Sequence, residues 1–362
     1  MTFLEQEKPI EVLYNEWIDN CYNKSKSFNS KDIAENAHKV FLEFITKKYP
    51  GKSEQSIISD LKTIQPNSTN YSSLYLFINE FVQYIGIRGN SPRTTSVYMA
   101  QIKSWLRHNG IRIYDEDVKQ FVKMPKLVKE RKVALTHDKV GLLLKNCRHE
   151  YFALILFLCS SGMRISEVLQ LRVIDIDFTS NPVMVRVRAE TTKLREERIT
   201  FVSAEAVRAL NVIIRDRTPK DFVFFPVRDS WERLKDLLEC VECSFSGIRK
   251  RSGLLEKYGT GRYHIRIHTL RNFFISQCER VHEGLGHALA GHGKYMKEYE
   301  NFTDEQLKGF YLKIEPDLTI SNDMRNQLVI SQKDEQLKKV DGMQLEIKRL
   351  QDMVQRLERS KH

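Results

Sequence analysis

The sequence predicts a mainly α chain carrying a small antiparallel β-sheet, an α+β arrangement preceded by a helical domain and followed by a helical tail. Three observations predict it. Apolar residues recur at helical spacing from the start to about residue 130, three short segments of period-two alternation (VIDIDF, VMVRVRA and RITFV) lie between helical stripes further on, and residues 340 to 357 keep a strict heptad alternation.

In the first domain, set at residues 1–130, Val12, Trp17 and Ile18 form one stripe, Ala37, Val40, Phe41, Phe44 and Ile45 a second, and Leu74, Phe77, Ile78, Phe81 and Val82 a third. NKSKSFNS, YPGKSE and QPNSTN separate them, rich in residues that end helices. A further helix opens with Ser91 as N-cap and Pro92 at its first position, places Tyr98, Ile102 and Leu106 one turn apart, and carries Arg93 and Lys103 as candidate DNA contacts. The reading is a basic helical bundle. MPKLVKERKVA (124–134) follows, with Lys126, Lys129, Arg131 and Lys132; it suits either a linker crossing a phosphate backbone or an ordinary solvated one.

The second domain, set at residues 131–320, begins with helical stripes at 137–147 and 150–161. The three alternating segments then form a small antiparallel sheet, with ETTKLREE turning between the second and third. A helix at 203–216, a short apolar DFVFF and further helices carry the chain to about residue 312. In the tail, residues 321–362, Val340, Met343, Ile347, Leu350, Val354 and Leu357 occupy a and d positions of one coiled-coil-like helix. Three heptads are marginal alone and Gly342 lies inside the first, so self-association and packing on the body both stay open.

Composition narrows the function classes. With 41% hydrophobic and 29% charged residues the chain is neither collagen-like nor disordered, and a formal net charge of +11 over 362 residues favours a polyanionic partner. The longest apolar run, Phe152 to Cys159, is far below the roughly 18 residues of a membrane span, so no membrane partner is expected. The start, MTFLEQEKPIEVLYNEW, shows no secretory or transit pattern; the expected location is the cytoplasm, in association with the nucleoid, with the six cysteines reduced. Cys240 and Cys243 form one CxxC without a second ligand pair, so neither metal nor cofactor is expected. The run IRKRSG brings Arg249, Lys250 and Arg251, a solvated face suited to sequence-independent, salt-sensitive phosphate contacts.

The chemistry lies in separated motifs. SSGMRISEVLQL places Arg164 after a small-residue turn at the start of an apolar helix, among the backbone donors of a helix N-terminus. IHTLRNFF sets His268 and Arg271 three apart on one helical face. AGHGKYMKEY holds His292, Tyr295 and Tyr299, and the hairpin TTK supplies Lys193. These groups suit a metal-free phosphoryl transfer at a DNA phosphodiester: two guanidiniums clamp the non-bridging oxygens, a tyrosine hydroxyl is the nucleophile, and the histidines and lysine are acid and base. A two-metal nuclease would need clustered carboxylates, and Asp175 and Asp177, the one DxD, fall in a strand pattern that turns both to solvent.

In the order Arg (SGMRISE), Lys (TTK), HxxR (HTLR), His (AGH) and Tyr, the chain resembles the tyrosine recombinase family of phage integrases and Xer-like enzymes. GHGKYMKEY followed by EQLKGFYLKIEPDLTI resembles most the archaeal and archaeal-virus integrase branch. The likeness spans about residues 135–315, with SPRTTSVYMAQIKSWL resembling the family's core-binding domain. It implies a C-shaped clamp on double-stranded attachment-site DNA, cleavage through a 3′-phosphotyrosine, and strand exchange by a homo-tetramer built from pairs of protomers, in a site-specific integrase of a virus or mobile element. Carried over, Arg164 and Arg271 would bind the scissile phosphate, Lys193 protonate the leaving 5′-oxygen, His268 act as acid/base or phosphate donor, and His292 hydrogen-bond the same phosphate. Glu167 would orient the Arg164 site, although the helix macrodipole alone also favours an acid in a first turn.

One departure stands out. The family usually places the tyrosine about nine residues after the last histidine, where this chain has Asn301; Tyr299 is the preferred nucleophile, Tyr295 the alternative, and Tyr311, beside Phe310, reads as core. His282 and His287 read as satisfied or solvent-facing histidines. Two other readings stay open: a type IB topoisomerase, which shares the chemistry, and a non-catalytic DNA-binding partition or replication protein.

Overall fold

The computed structural model describes residues 8–25, 28–64, 71–128, 130–225, 231–292 and 302–359. The chain forms two compact units, Met1–Glu130 and Arg131–His362.

The first unit is all helical: α1 (Ile10–Ser25), α2 (Phe28–Lys48), α3 (Glu54–Lys62), α4 (Tyr71–Ile87), α5 (Pro92–His108) and α6 (Asp115–Phe121). Ser53 and Ser91 cap α3 and α5, each hydroxyl accepting from the backbone N–H three residues on, and Pro92 opens α5 without forfeiting a helical hydrogen bond. The apolar stripes meet in one core around Trp17, Phe41, Phe44, Phe81 and Trp105. One carboxylate enters it with partners: Glu54 Oε1 accepts from Trp105 Nε1 at 2.9 Å and lies 2.8 Å from His38 Nε2.

The second unit is built around α8 (His149–Ser161), whose residues from Ala153 to Ser161 are all buried. Such a helix needs neighbours on every side. α10 (Ala204–Ile214), α12 (Ile267–Cys278) and the sheet supply them, and α7 (His137–Lys145) leads into it. The sheet has the order β1 (Ile176–Asp177), β2 (Val183–Val187), β3 (Arg198–Val202), all antiparallel, with Val183 opposite Val202 and Val187 opposite Arg198. Among the described residues the unit further holds two short helices, α9 (Ile165–Val168) and α13 (Leu285–Ala290), and three longer ones, α11 (Trp231–Arg251), α14 (Asp304–Leu318) and α15 (Asn322–Arg359).

Three expectations are corrected. VIDIDF is mostly not a strand: Val173–Asp175 is a 3-10 turn and only Ile176 and Asp177 pair with β2. The cause is Asp175, which is buried rather than solvent-facing; its Oδ2 accepts from the Arg172 N–H at 2.9 Å and lies 3.2 Å from Arg188 Nε, closing the turn before a strand can start. Arg249, expected on a solvated face, is buried, its guanidinium 3.6 Å over the Tyr263 ring and donating to Ser246 Oγ and the Ile265 carbonyl. Lys250 and Arg251 of the same run stay exposed.

The tail is a single helix whose root is held by buried carboxylates. Glu205 accepts from the N–H groups of Ile320 (2.6 Å) and Ser321 (2.9 Å), and Glu315 from that of Ala204 (2.7 Å).

Phe157 on α8 is fully buried and packs edge-on against Phe224. Phe157→Ala lowers stability by about 3–5 kcal/mol, the cost of a large core cavity. Chemical denaturation followed by circular dichroism checks this; a change under ~1 kcal/mol would contradict the placement of the core around α8.

Candidate active site

The site starts where α8 stops. Gly162 terminates that helix with φ +63°, and an added Cβ would lie 2.2 Å from the Phe274 ring, so both conformation and space demand glycine. Its carbonyl accepts from Arg271 Nη1 at 2.7 Å, which ties the α8 turn to α12. Two residues on, Arg164 is the N-cap of α9, and Glu167 folds back to it: Oε2 accepts from the Arg164 N–H at 2.9 Å and Oε1 from its Nη1 at 2.8 Å.

Glu167 is itself buried, and a second guanidinium meets it. Arg198, first residue of β3, places Nη2 2.6 Å from Glu167 Oε2 and Nη1 3.3 Å from Oε1, while its Nε donates to the Leu289 carbonyl of α13. Burial alone would raise the Glu167 carboxyl; the charges and hydrogen bonds of Arg198 and Arg164 outweigh it and hold the group below the usual carboxylate range. The α13 turn closes on this pair, with Gly291 at φ +79°, a Cβ there only 2.8 Å from Arg198 Nε, and its carbonyl 3.4 Å from Arg164 Nη2.

Arg271 is 2% exposed, and its Nη2 has no hydrogen-bond partner among the described residues. Burial, then the like charge of Arg164, push its guanidinium below its ordinary value, as for a cation awaiting an anion. His268 sits one turn earlier on α12, with an exposed edge; desolvation and then the charges of Arg271, Arg266, Arg164 and Lys132 lower its pKa. His292, next to Gly291, is lowered to about 4 by desolvation, then by Arg271, His287, Arg164 and His268. These mutual influences define one basic cluster of Arg164, Arg198, Arg271, His268 and His292, with Glu167, among the described residues, the acid bonded within it.

The structure thus brings together Arg164, Glu167, His268, Arg271 and His292. Lys193 is not among them: it is exposed in the β2–β3 connection, where Thr192 Oγ1 accepts from the Glu196 N–H and Arg195 turns back at φ +56°. It makes no hydrogen bond or ion pair with the described residues. Tyr295 and Tyr299 lie outside the described residues, as does Lys129. Tyr311 is in the core, its hydroxyl donating to the Ser160 carbonyl at 2.8 Å. Of the remaining basic candidates, Arg93, Lys126, Arg131 and Lys132 are exposed, Lys103 pairs with Asp115 at 2.9 Å, and exposed Arg251 donates to the Asn146 carbonyl.

Two residues that join this neighbourhood were not singled out from the sequence. Arg198 opens an alternating strand and lies on the same face as Thr200 and Val202, a signal of inward orientation that the strand pattern alone did not turn into a role. His287, read as satisfied or solvent-facing, is satisfied, and by a residue of the cluster: its Nδ1 lies 2.6 Å from Nδ1 of His292, and its carbonyl accepts from the His292 N–H at 2.9 Å. Among the described residues no three His, Cys, Asp or Glu are grouped to hold a metal ion.

The model of the phage integrase family matches residues 133–280. A protein of Caldanaerobacter subterraneus subsp. tengcongensis named as a tyrosine recombinase is 27% identical over 206 residues, covering 52% of this chain and 68% of that one. Tyrosine recombinase XerA of Thermococcus onnurineus is 26% identical over 220 residues, covering 58% and 71%. Among solved structures, the XerH site-specific recombinase bound to its difH substrate superposes with a TM-score of 0.46 at 18% identity, over 84% of this chain and 96% of that one.

Glu167→Ala strands the Arg198 cation in the interior and lowers stability by about 3–5 kcal/mol at neutral pH, read by denaturant unfolding. The pH dependence has a definite sign. His292 is charged more readily unfolded than folded, so its contribution is complete above its ordinary value of 6.5 and is lost as pH falls through about 4. Unfolding midpoints therefore drop over that window, and His292→Gln flattens the drop; an unchanged slope would contradict the lowered pKa.

Proposed function

We propose, from the match of residues 133–280 to the model of the phage integrase family, that the chain is a site-specific DNA recombinase of the tyrosine recombinase kind. It cuts and rejoins DNA through a 3′-phosphotyrosine and integrates or excises a mobile element or viral genome, in the archaeal and archaeal-virus branch. The observation that carries the reading is, among the described residues, the unpaired Nη2 of buried Arg271 inside a cluster whose cations exceed its bonded acid. A tetrahedral dianion or phosphodiester is the natural partner of such a group. The net charge of +11 and the exposed Arg93, Lys126, Arg131, Lys132, Lys250 and Arg251 supply the wider attraction to a DNA backbone.

The proposed chemistry follows from the roles of the groups. Arg164 and Arg271 grip the non-bridging oxygens and stabilise the charge of the transition state. The Tyr299 hydroxyl attacks phosphorus, and the bond to the 5′-oxygen breaks. Lys193, on its exposed loop, gives that oxygen a proton and leaves a 5′-hydroxyl; this requires the β2–β3 connection to close on bound DNA. His268, held neutral by its surroundings, takes the proton that the attacking Tyr299 hydroxyl gives up, and His292 donates a hydrogen bond to the phosphate. Attack of a 5′-hydroxyl on the phosphotyrosine then reverses the step on a new partner strand and restores the tyrosine. The helical unit 1–130 adds a second grip on the duplex, and pairs of protomers assemble as a tetramer on two attachment sites. None of the described helices is long and apolar enough to cross a membrane, and the work is assigned to the cytoplasm, on the nucleoid.

Nicked duplexes tiled across the element that encodes the chain, incubated with it in EDTA, trap a covalent adduct that mass spectrometry maps to Tyr299. Arg271→Ala slows adduct formation by about 10²–10³-fold. Lys193→Ala is rescued when the 5′-bridging oxygen is replaced by sulfur, a leaving atom that needs no acid. DNA bound without any adduct would overturn the reading in favour of a non-catalytic binder, and an adduct on Tyr295 would move the nucleophile.

A further inference from the structure

We infer that the distal part of α15 is the half-site of a parallel two-stranded coiled coil, whose other half is the same helix of a second copy of this chain. The helix has 38 residues, about 57 Å at 1.5 Å per residue. Its first third is tied down: Arg325 donates to the carbonyls of Thr319 and Ile320, and Gln332 Nε2 to that of Leu312 at 2.6 Å. From Lys333 onward every residue whose side chain is described is exposed, including Leu337, Val340, Met343, Leu345, Ile347, Leu350 and Met353. The apolar stripe is therefore not used by the unit that carries it, and an exposed stripe of this size marks an interaction surface.

The pattern within the stripe specifies what covers it. Heptad a positions are Val340, Ile347 and Val354, all β-branched; d positions are Met343, Leu350 and Leu357, all unbranched at Cβ. That division is the one that favours parallel dimers over trimers or tetramers, because the knobs-into-holes geometry differs at the two layers. Charge agrees with a self-pairing. Residues 333–359 hold seven basic and six acidic side chains, so two copies meet without the repulsion that a chain of net charge +11 would otherwise build, and such a balanced helix is a poor phosphate binder. In a parallel pair each g position faces the next e of the partner helix: Lys339 meets Gln344, Glu346 meets Gln351 and Met353 meets Glu358, with no like charges opposed. On the outer face, Asp334 and Lys338 stand at i, i+4 with the acid first, which supports the helix itself.

The area suffices. The sequence places six a and d side chains on each helix, of which Val340, Met343, Ile347 and Leu350 are about half-exposed; at roughly 60–120 Å² for a fully buried aliphatic, twelve such positions bury on the order of 1,000 Å² together, near the lower bound of a specific interface. Gly342 falls at a c position on the outer face, with no atom within 4 Å of an added Cβ. It weakens the helix without touching the seam.

The test is the mass of the full chain in solution without DNA, by sedimentation equilibrium across micromolar concentrations. A dimer is expected. Leu350→Asp, in the seam, converts it to monomer, while Leu345→Asp, at an outer f position and equally exposed (57% against 55%), leaves it a dimer. Gly342→Ala, off the seam, leaves the dimer in place and raises the thermal stability of the tail helix. Met343→Cys, mildly oxidised, adds a disulfide-linked dimer above the wild-type background, because in a parallel pair the two 343 positions face each other. Circular dichroism of each variant separates loss of pairing from loss of fold. A monomer at every concentration, a dimer that appears only with DNA, or a dimer lost with Leu345→Asp but not with Leu350→Asp would each overturn the inference; absence of the Met343→Cys link would overturn its parallel orientation. None of these readouts depends on recombination.

Discussion

The carboxylate of Glu167 is shared by two guanidiniums in the interior, and three separate pieces of chain meet there. Arg164 opens α9, Arg198 opens β3 and reaches on to the Leu289 carbonyl of α13, and the Gly291 turn lies close enough over Arg198 that a Cβ would collide with it. A buried pair of this kind adds little net stability against an apolar replacement, because both ions lose their water. What it supplies is position. With Arg198 neutralised and pinned, Arg164 keeps a free donor edge, and the α13 turn delivers His292 beside it.

The same economy governs Arg271. One of its terminal nitrogens is committed to the Gly162 carbonyl, so the helix that carries it cannot shift relative to the α8 turn; the other is buried and unpaired. An unpaired guanidinium nitrogen in an interior is a standing free-energy penalty, which an anion removes. Desolvation first, and then the same positive surroundings, disfavour the charged forms of His268 and His292. They can therefore donate a hydrogen bond to a phosphate without adding a further charge to a crowded site.

Much of this was legible in the sequence, for identifiable reasons. Helical stripes through Phe41, Phe44, Phe77 and Phe81 report burial on one face directly, and Ser91-Pro92 marks a helix start because its chemistry is local. Arg164, His268 and Arg271, which the structure brings together, could be singled out because they stand at helix starts or one turn apart. VIDIDF misled because period-two alternation cannot see Asp175 turning inward to cap its own backbone and pair with Arg188. Arg249 misled because a basic run gives no sign of the Tyr263 ring that covers one of its members. Arg198 and His287 were not singled out for the complementary reason: each acquires its role only through a partner distant in sequence or hidden behind a turn.

A crystal structure of the chain grown with tungstate, a tetrahedral dianion visible by its anomalous scattering, would test the basic cluster most directly. The arrangement predicts one ordered anion within hydrogen-bond distance of Arg271 Nη2 and the Arg164 guanidinium, with His292 or His268 as a further donor and Arg198 still bound to Glu167. An empty cluster with tungstate ordered elsewhere, or an anion that draws Arg198 off Glu167 while Arg271 stays unpaired, would contradict it.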